Sequence, residues 1–382
     1  MLNLGLVAGE ASGDLLGASL IEALVERLGP DGLASEGCAG PRMAAAGCRV
    51  LVDSEQLAVM GLSEVIAHLP GLLRIRRDLA RHFLAHRPDV FVGIDSPDFN
   101  LGLERRLKAD GVPTIHYVSP TVWAWRQGRV RTIARSVDRV LALFPFEAEF
   151  YERHDVDVTY VGHPLADQLP LEPDRAAKRR QLNLPGDVPV VALLPGSRGT
   201  ELRALSAPFV RTAVWLRSQL SDIRFVAPMV SPAMRALFEQ AVAEHGEGVS
   251  IQLLEGQARD AMEAADAVLL ASGTAALEAM LLKRPMVVAY RVAPLTHFLL
   301  KRVGLLKIDR FSLPNLLAGQ ALVEEFAQDD VIPEHLGPAI LAKLRASEEN
   351  DRLVSEFTRL HHLLRQDASA RAAAAVLEVA GR

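Results

Sequence analysis

Cysteine is almost missing from this 382-residue chain, which has only Cys38 and Cys48. Two thiols are too few for a disulfide framework, and no Cys/His partner spacing suggests zinc. Both read as reduced, largely inert core thiols of a cytosolic protein. No window holds 18 consecutive apolar residues, so a spanning helix is not expected despite a positive mean hydropathy. The segment Met1 to Ala8 has no basic n-region and runs straight into a strand-like stretch, which argues against a signal peptide. Neither sign of charge dominates. Lys and Arg number 42 against 47 Asp and Glu, a net charge of −5, which excludes a surface that is wholly a nucleic-acid footprint; no nucleic-acid partner is expected. Apolar residues at 49% and charged ones at 23% exclude wholesale disorder. At about 150 residues per domain, the length predicts two domains or one unusually large α/β unit.

What is present is alternation. Short apolar runs ending at Gly, Ser or Asp are each followed by a segment of helical periodicity, which predicts an α/β chain of βαβ units on parallel sheets. The first series of strands is expected over Asn3 to Val7, Asp89 to Ile94, Thr114 to Val118, Val137 to Leu143 and Thr159 to Val161. The second is expected over Val188 to Leu194, Ile223 to Ala227, Val249 to Leu253, Ala267 to Leu270 and Met286 to Tyr290. Between them Pro164 to Leu184 is polar and rich in Pro, Asp, Lys and Arg, and reads as a linker. The domains expected are therefore residues 1–165 and 166–350, with a terminal helix over 351–382.

Parallel sheets bind ligands at the carboxyl ends of their strands, so the loops there are the places to look for chemistry. The first reads Gly9-Glu10-Ala11-Ser12-Gly13-Asp14. Its glycines allow another molecule close, and Ser12 or Asp14 can cap a helix whose free amides favour an anion. It is neither a dinucleotide fingerprint nor a Walker A loop, and a tight turn with a good cap explains it as well. The next, Asp95-Ser96-Pro97-Asp98-Phe99-Asn100, sets two carboxylates three residues apart at a strand end. That suits a general base beside an acceptor hydroxyl, although Asp98 could equally be a cap and Asp95 a satisfied structural carboxylate. His116 closes the following strand, and Trp123, Trp125 and Arg126 beyond it suit stacking or cation–π contact, or equally core and interface packing.

In the second half, Pro195-Gly196-Ser197-Arg198-Gly199 leaves one guanidinium among small residues, free to grip phosphate oxygens in bidentate fashion, or to pair with a carboxylate on a surface turn. A compatible loop, Ser272-Gly273-Thr274-Ala275, opens a helix whose dipole favours negative charge. Glu278, about one turn along, could accept bonds from ribose hydroxyls. Together with Arg198 this describes half of a nucleotide-diphosphate site. Asn315, in Ser312-Leu313-Pro314-Asn315, could serve a base or phosphate, or simply cap a helix.

These loops, with Tyr117-Val118-Ser119-Pro120 and its tryptophans, closely resemble lipid-A-disaccharide synthases, in that family's order and from end to end of the chain. The resemblance implies a GT-B fold, two Rossmann-like parallel-sheet domains facing across a cleft, with the terminal helix returning to the N-terminal domain. It implies an inverting transfer from UDP-2,3-diacylglucosamine to 2,3-diacylglucosamine 1-phosphate (lipid X), forming a β-1,6 bond and releasing UDP without metal or other cofactor. In that light Asp95 is the expected base, with Asp98 as the second candidate. Arg198, Ser272, Gly273, Thr274, Ala275, Glu278 and Asn315 are expected at UDP. Glu10, Ser12, Gly13, His116, Trp125, Arg126 and His163 are candidates for the acceptor side, although His163, at the domain junction, would serve as well structurally. The family likeness also suggests a homodimer, with exchanged C-terminal segments as one form of it.

Acylated substrates require contact with a bilayer. Val59, Met60, Leu62, Val65, Ile66, Leu69, Leu72 and Leu73 form a densely apolar stretch that leads into Arg74, Arg76 and Arg77. Between residues 70 and 139 the chain holds 13 Lys and Arg against 7 Asp and Glu. An apolar patch flanked by arginines is the pattern of an interfacial element on anionic lipid, here the inner face of the inner membrane; a core helix with a basic solvated face is the alternative. The competing functions are another GT-B enzyme of UDP-N-acetylglucosamine, such as a 2-epimerase or the lipid-II-forming transferase, and a non-catalytic UDP-sugar-binding peripheral membrane protein.

Overall fold

Strands of four to seven aliphatic residues need cover on both sides of their sheet, and parallel strands obtain it from the helices of their crossover connections. A computed structural model shows this arrangement twice. It describes residues 1–57, 62–120, 122, 127–291 and 310–382, and the backbone alone for 62–68 and 127. The chain divides into two compact units, one of Met1–Asp167 with Leu364–Arg382, the other of Gln168–Leu363.

The first unit runs β1 (Leu2–Ala8), α1 (Ala11–Leu28), β2 (Leu33–Ala39), α2 (Pro41–Ala45), β3 (Arg49–Asp53), α3 (Leu62–His86), β4 (Val90–Ile94), α4 (Pro97–Ala109), β5 (Thr114–Tyr117), α5 (Val130–Ser136), β6 (Arg139–Ala142), α6 (Pro145–Glu152), β7 (Val158–Tyr160) and α7 (Pro164–Gln168). Its sheet order is β3-β2-β1-β4-β5-β6-β7, with every pairing parallel. One core layer joins Val7, Phe83, Phe91 and Leu103, with Phe83 edge-on to Phe91 at 5.2 Å. Each such side chain contributes about 1.5–3 kcal/mol on leaving water.

The second unit runs α8 (Arg175–Gln181), β8 (Val190–Leu194), α9 (Gly199–Gln219), β9 (Arg224–Met229), α10 (Pro232–His245), β10 (Ile251–Glu255), α11 (Ala258–Ala264), β11 (Ala267–Ala271), α12 (Thr274–Leu281), β12 (Met286–Tyr290), α13 (Leu313–Ala318), β13 (Glu324–Ala327), α14 (Pro333–Lys343) and α15 (Glu348–Leu364). Its sheet order is β10-β9-β8-β11-β12-β13, again parallel. In each sheet the chain winds outward one way and then the other. The reversal falls between β1 and β4 in the first unit and between β8 and β11 in the second. Crossovers on the two sides of such a seam leave to opposite faces and open a crevice at the strands' carboxyl ends.

The ten expected strands are all present, with ends shifted by one or two residues. Three strands were not anticipated. Leu33–Ala39 reads as polar and small, Arg49–Asp53 is a half-exposed edge, and Glu324–Ala327 is another edge that opens on two glutamates. The polar segment after Pro164 is partly helical, forming α7 and α8. The expected terminal helix is two. α15 belongs to the second unit, whereas α16 (Ala368–Val379) lies in the first and packs on α1. The break comes at Asp367, and the Asp167 carboxylate caps the new start by accepting from the backbone N–H of Asp367 (3.0 Å) and Ala368 (2.7 Å). Arg139 then holds Glu378 at 2.7 Å.

The two cysteines are buried. Burial pushes their thiols up to about 12 at Cys38 and about 11 at Cys48, which keeps them protonated and inert.

Candidate functional site

At the first unit's seam the loops after β1 and β4 touch. A Cβ on Gly9 would stand 2.6 Å from the Ser96 hydroxyl, so a glycine lets the two meet. Glu10 takes the N-cap position of α1 without making a side-chain cap, and Ser12 is exposed beside it. Asp14, expected as a possible cap of α1, is buried and caps α2 instead. Its carboxylate accepts from the N–H of Gly40 (2.9 Å), Arg42 (2.9 Å) and Met43 (3.0 Å). Gly13 is buried between α1 and the sheet, beside Ala8 and Ile94, and leaves no face for a ligand.

Asp95 follows β4 directly. Its N–H donates to the Tyr117 carbonyl at 2.8 Å, and it is half-buried with no side-chain partner among the described residues. Both Asp95 (φ +53°) and Ser96 (φ +43°) sit in the left-handed region. For residues with a Cβ this costs on the order of 1–3 kcal/mol each and persists only where the surroundings hold it. Asp98 differs: its side chain is 89% exposed and paired with the Arg129 guanidinium.

His116 is fully buried, and its Nδ1 lies 2.7 Å from Oε1 of the equally buried Glu104. It therefore presents nothing to a substrate, contrary to its place among the acceptor candidates. Glu104 itself gives little sign in the sequence, where it reads as a helical residue of α4. Burial raises its carboxyl, and His116 acts in the opposite direction. His163 is also a packing residue. Its ring lies 5.3 Å from that of Phe144, Nδ1 accepts from the N–H of Leu165 at 3.2 Å, and burial lowers it to about 4. Trp125 and Arg126 lie outside the described residues.

At the second unit's seam, β8 and β11 are adjacent with Leu194 opposite Leu270, which brings the Arg198 and Gly273 loops side by side. Gly196 has φ +120°, and a Cβ there would stand 2.5 Å from Glu201. The turn folds back tightly onto that carboxylate, which accepts from the N–H of Ser197 (3.1 Å) and Arg198 (3.4 Å). Arg198 is 81% exposed, with Nη1 3.3 Å from Glu201, so its guanidinium is presented outward and can trade this weak pair for a diphosphate. Among the described residues nothing lies within 4 Å of where a Cβ on Gly273 would stand, which is the room a phosphate needs. Thr274 and Ala275 open α12 with no side-chain cap, and the Ser272 hydroxyl donates to the Phe311 carbonyl at 3.2 Å. Glu278 lies 3.7 Å from Arg259; burial raises its carboxyl and the arginine opposes this.

Asn315 is only 2% exposed and its amide is engaged with nearby backbone. Nδ2 donates to the Val323 carbonyl (2.9 Å), while Oδ1 accepts from Leu322 (2.7 Å) and Val323 (2.8 Å). The side chain shapes the loop and, being buried, is turned away from a nucleotide.

On α3, Leu69 and Leu73 are 46% and 45% exposed, Arg77 is exposed, and Leu72 is half-buried. Asp78 pairs with Arg74, Arg77 and Arg81. Arg76 turns inward, its Nη1 2.6 Å from where a Cβ on Gly102 of α4 would stand, so it packs between helices and does not project outward. Val59 and Met60 lie outside the described residues, as do the side chains of Leu62, Val65 and Ile66. Among the described residues no helix is long and apolar enough to cross a membrane.

Over residues 4–379 the chain matches the family model described as Lipid-A-disaccharide synthetase. It is 56% identical over 382 residues to a protein of Alkalilimnicola ehrlichii named lipid-A-disaccharide synthase, covering 100% of this chain and 99% of that one. Against a protein of the same name in Escherichia coli (strain SE11) it is 51% identical over 379 residues, covering 99% and 98%. Among solved structures it resembles the glycotransferase of kitacinnamycin (TM-score 0.65, 18% identity, 99% and 98% covered). It also resembles a UDP-GlcNAc 2-epimerase of Neisseria meningitidis bound to UDP-GlcNAc (TM-score 0.61, 12% identity, 99% of each covered). At these identities the structural likeness is one of fold, and the fold is GT-B.

Proposed function

Because the chain belongs to the lipid-A-disaccharide synthase family, glycosyltransferases that form the lipid A disaccharide, we propose that Asp95 is the general base of the transfer and Arg198 with the start of α12 the leaving-group site. The donor is UDP-2,3-diacylglucosamine and the acceptor lipid X. The acceptor's 6-hydroxyl attacks the donor's anomeric carbon from the side opposite UDP. The new C–O bond forms as the bond to the diphosphate oxygen breaks, and the anomeric centre inverts to β. Asp95 takes the hydroxyl proton, while the charge that grows on UDP is offset by the Arg198 guanidinium and the first amides of α12. Glu278 accepts from the ribose hydroxyls. The observation that carries this reading is the contrast at one loop: Asp95 is half-buried at the seam and its carboxylate has no partner among the described residues, whereas Asp98 is exposed and would have to give up Arg129.

The test is UDP release from the acylated UDP-glucosamine with and without lipid X. Release that depends on lipid X is expected; release indifferent to it, or none, would sink the assignment.

The protein acts peripherally at the inner face of the inner membrane. The exposed Leu69 and Leu73, with Arg74 and Arg77 beside them, support contact with anionic lipid. Flotation with anionic vesicles is expected to carry wild type, to lose it as salt rises, and to carry Leu69→Asp/Leu73→Asp poorly. Equal flotation of the two proteins would remove this element from the reading. Dimerisation belongs to the same reading, and light scattering of the purified protein measures it.

A further inference from the structure

The loop that carries Asp95 is held from beneath by a side chain that never reaches the surface. Asn100, the fourth residue of α4, is fully buried. Its Nδ2 donates to the carbonyls of Asp95 (2.8 Å) and Ile94 (3.2 Å) and lies 3.4 Å from that of Val7. Those carbonyls end β4 and β1, the two strands between which the first sheet reverses. Its backbone N–H donates to the Ser96 carbonyl at 3.0 Å. One residue thus ties both left-handed residues of the loop, Asp95 through its side chain and Ser96 through its main chain.

The chemistry of this position is specific. Three carbonyl oxygens converge on one group, so a donor is required and an acceptor excluded; the amide turned over would set its own oxygen against all three. Asn100 is in turn fixed from behind. A Cβ on Gly93 would stand 3.0 Å from Asn100 Cβ and 2.1 Å from Glu104 Oε1, so both side chains of this α4 face press on a bare Cα. His116, opposite Gly93 in β5, braces Glu104. Asn100, Glu104 and His116 are all fully buried.

We propose that Asn100 is the positioning residue for Asp95, holding the strained Asp95–Ser96 backbone so that the carboxylate stands in the seam. This rests on the reading of Asp95 as the base. Asn100 acts only through Asp95, and that separates positioning from general support of the fold.

The experiment is a double-mutant cycle in acceptor-dependent UDP release. Asn100→Ala is expected to lower kcat about 10²-fold, as loss of orientation does, with KM for the donor and affinity for UDP within about twofold of wild type. In an Asp95→Asn background the same substitution is expected to cost less than about threefold, because the group it positions is already gone. Independent losses that multiply would overturn the proposal. If Asp95→Asn alone keeps wild-type turnover, the base assignment fails instead, so the two failures are distinguishable.

Asn100→Asp, of the same size, supplies a second readout should the alanine variant not fold. Protonated, it can donate one bond; ionised, it faces three carbonyl oxygens. Its kcat/KM relative to wild type is expected to fall as pH rises, while circular dichroism and UDP binding report folded protein throughout. Asp95, Glu104 and His116 are the ionisable groups around this position, so the variant's profile is read beside wild type measured in parallel. A ratio flat across pH would overturn the proposal.

Discussion

The two units wind their sheets alike and reverse them at equivalent seams, yet the groups set there have opposite character. Between β1 and β4 stand Glu10, Asp95 and Asp98, all acidic. Between β8 and β11 stand Arg198 and the uncapped start of α12, a guanidinium beside a helix dipole. The winding decides where a ligand can lie, and the side chains decide whether a proton is taken there or an anion held. Under the proposed reading one fold supplies a base at one seam and an anion site at the other, a division of tasks between the two units.

Single substitutions can break that division. Asp95→Asn is expected to cost the largest factor, about 10³ in kcat, within the range that removing a general base costs, with UDP affinity unchanged. Arg198→Ala is expected to cost about 10² in kcat/KM and to weaken UDP binding, measured by calorimetry. Should Asp95→Asn loosen UDP as much as Arg198→Ala does, the separation of tasks is wrong.

Buried carboxylates sharpen the comparison at a smaller scale. Glu104 in the first unit is wholly enclosed and committed to His116, whereas Glu278 in the second is partly open and 3.7 Å from Arg259. Burial raises both. Of the two, Glu278 is the one open to solvent pH and, in the proposed reading, to a nucleotide. As pH falls it takes up its proton earlier than an ordinary carboxylate and loses strength as an acceptor for ribose hydroxyls. Donor KM is therefore expected to rise on acidification, and Glu278→Gln is expected to raise it about tenfold and flatten that slope. A Glu278→Gln profile parallel to wild type would remove the carboxylate from the nucleotide site.

The sequence disclosed the two series of strands and the loops that matter because a buried parallel strand has to be a continuous apolar run, and the loop after it has to carry whatever chemistry there is. It could not disclose which polar residues are used up internally. His116, His163 and Asn315 look like site residues, and Asp14 like a cap of its own helix, because they are polar and stand at strand ends or beside turns. In the structure each serves a local bond: Asp14 the start of α2, His116 the Glu104 carboxyl, His163 the Leu165 amide, Asn315 the 322–323 backbone. Their partners come from elements far along the chain or around a turn, and periodicity says nothing of those. Asn100 shows the converse. It reads as an ordinary helical residue, and only the convergence of β1 and β4 carbonyls gives it a role. The edge strands escaped for a related reason, since a half-exposed strand keeps polar residues that break the apolar run.

The smallest expected effect concerns His163, and it would mark the first unit alone. Its neutral ring packs beside Phe144 and accepts from Leu165 through Nδ1, and burial holds it at about 4 against an ordinary 6.5. Between those values the unfolded chain binds a proton that the folded chain refuses, so acid favours unfolding. The penalty is absent above 6.5, grows as pH falls through the window, and stops growing below about 4. From pH 7 to 6 it amounts to on the order of 1 kcal/mol, or about 3 °C in melting temperature for a unit of this size. His163→Gln keeps an acceptor for the Leu165 amide but cannot titrate. Its melting temperature relative to wild type should therefore rise as pH is lowered from 7 to 6, and a difference constant across that range would place the acid sensitivity elsewhere.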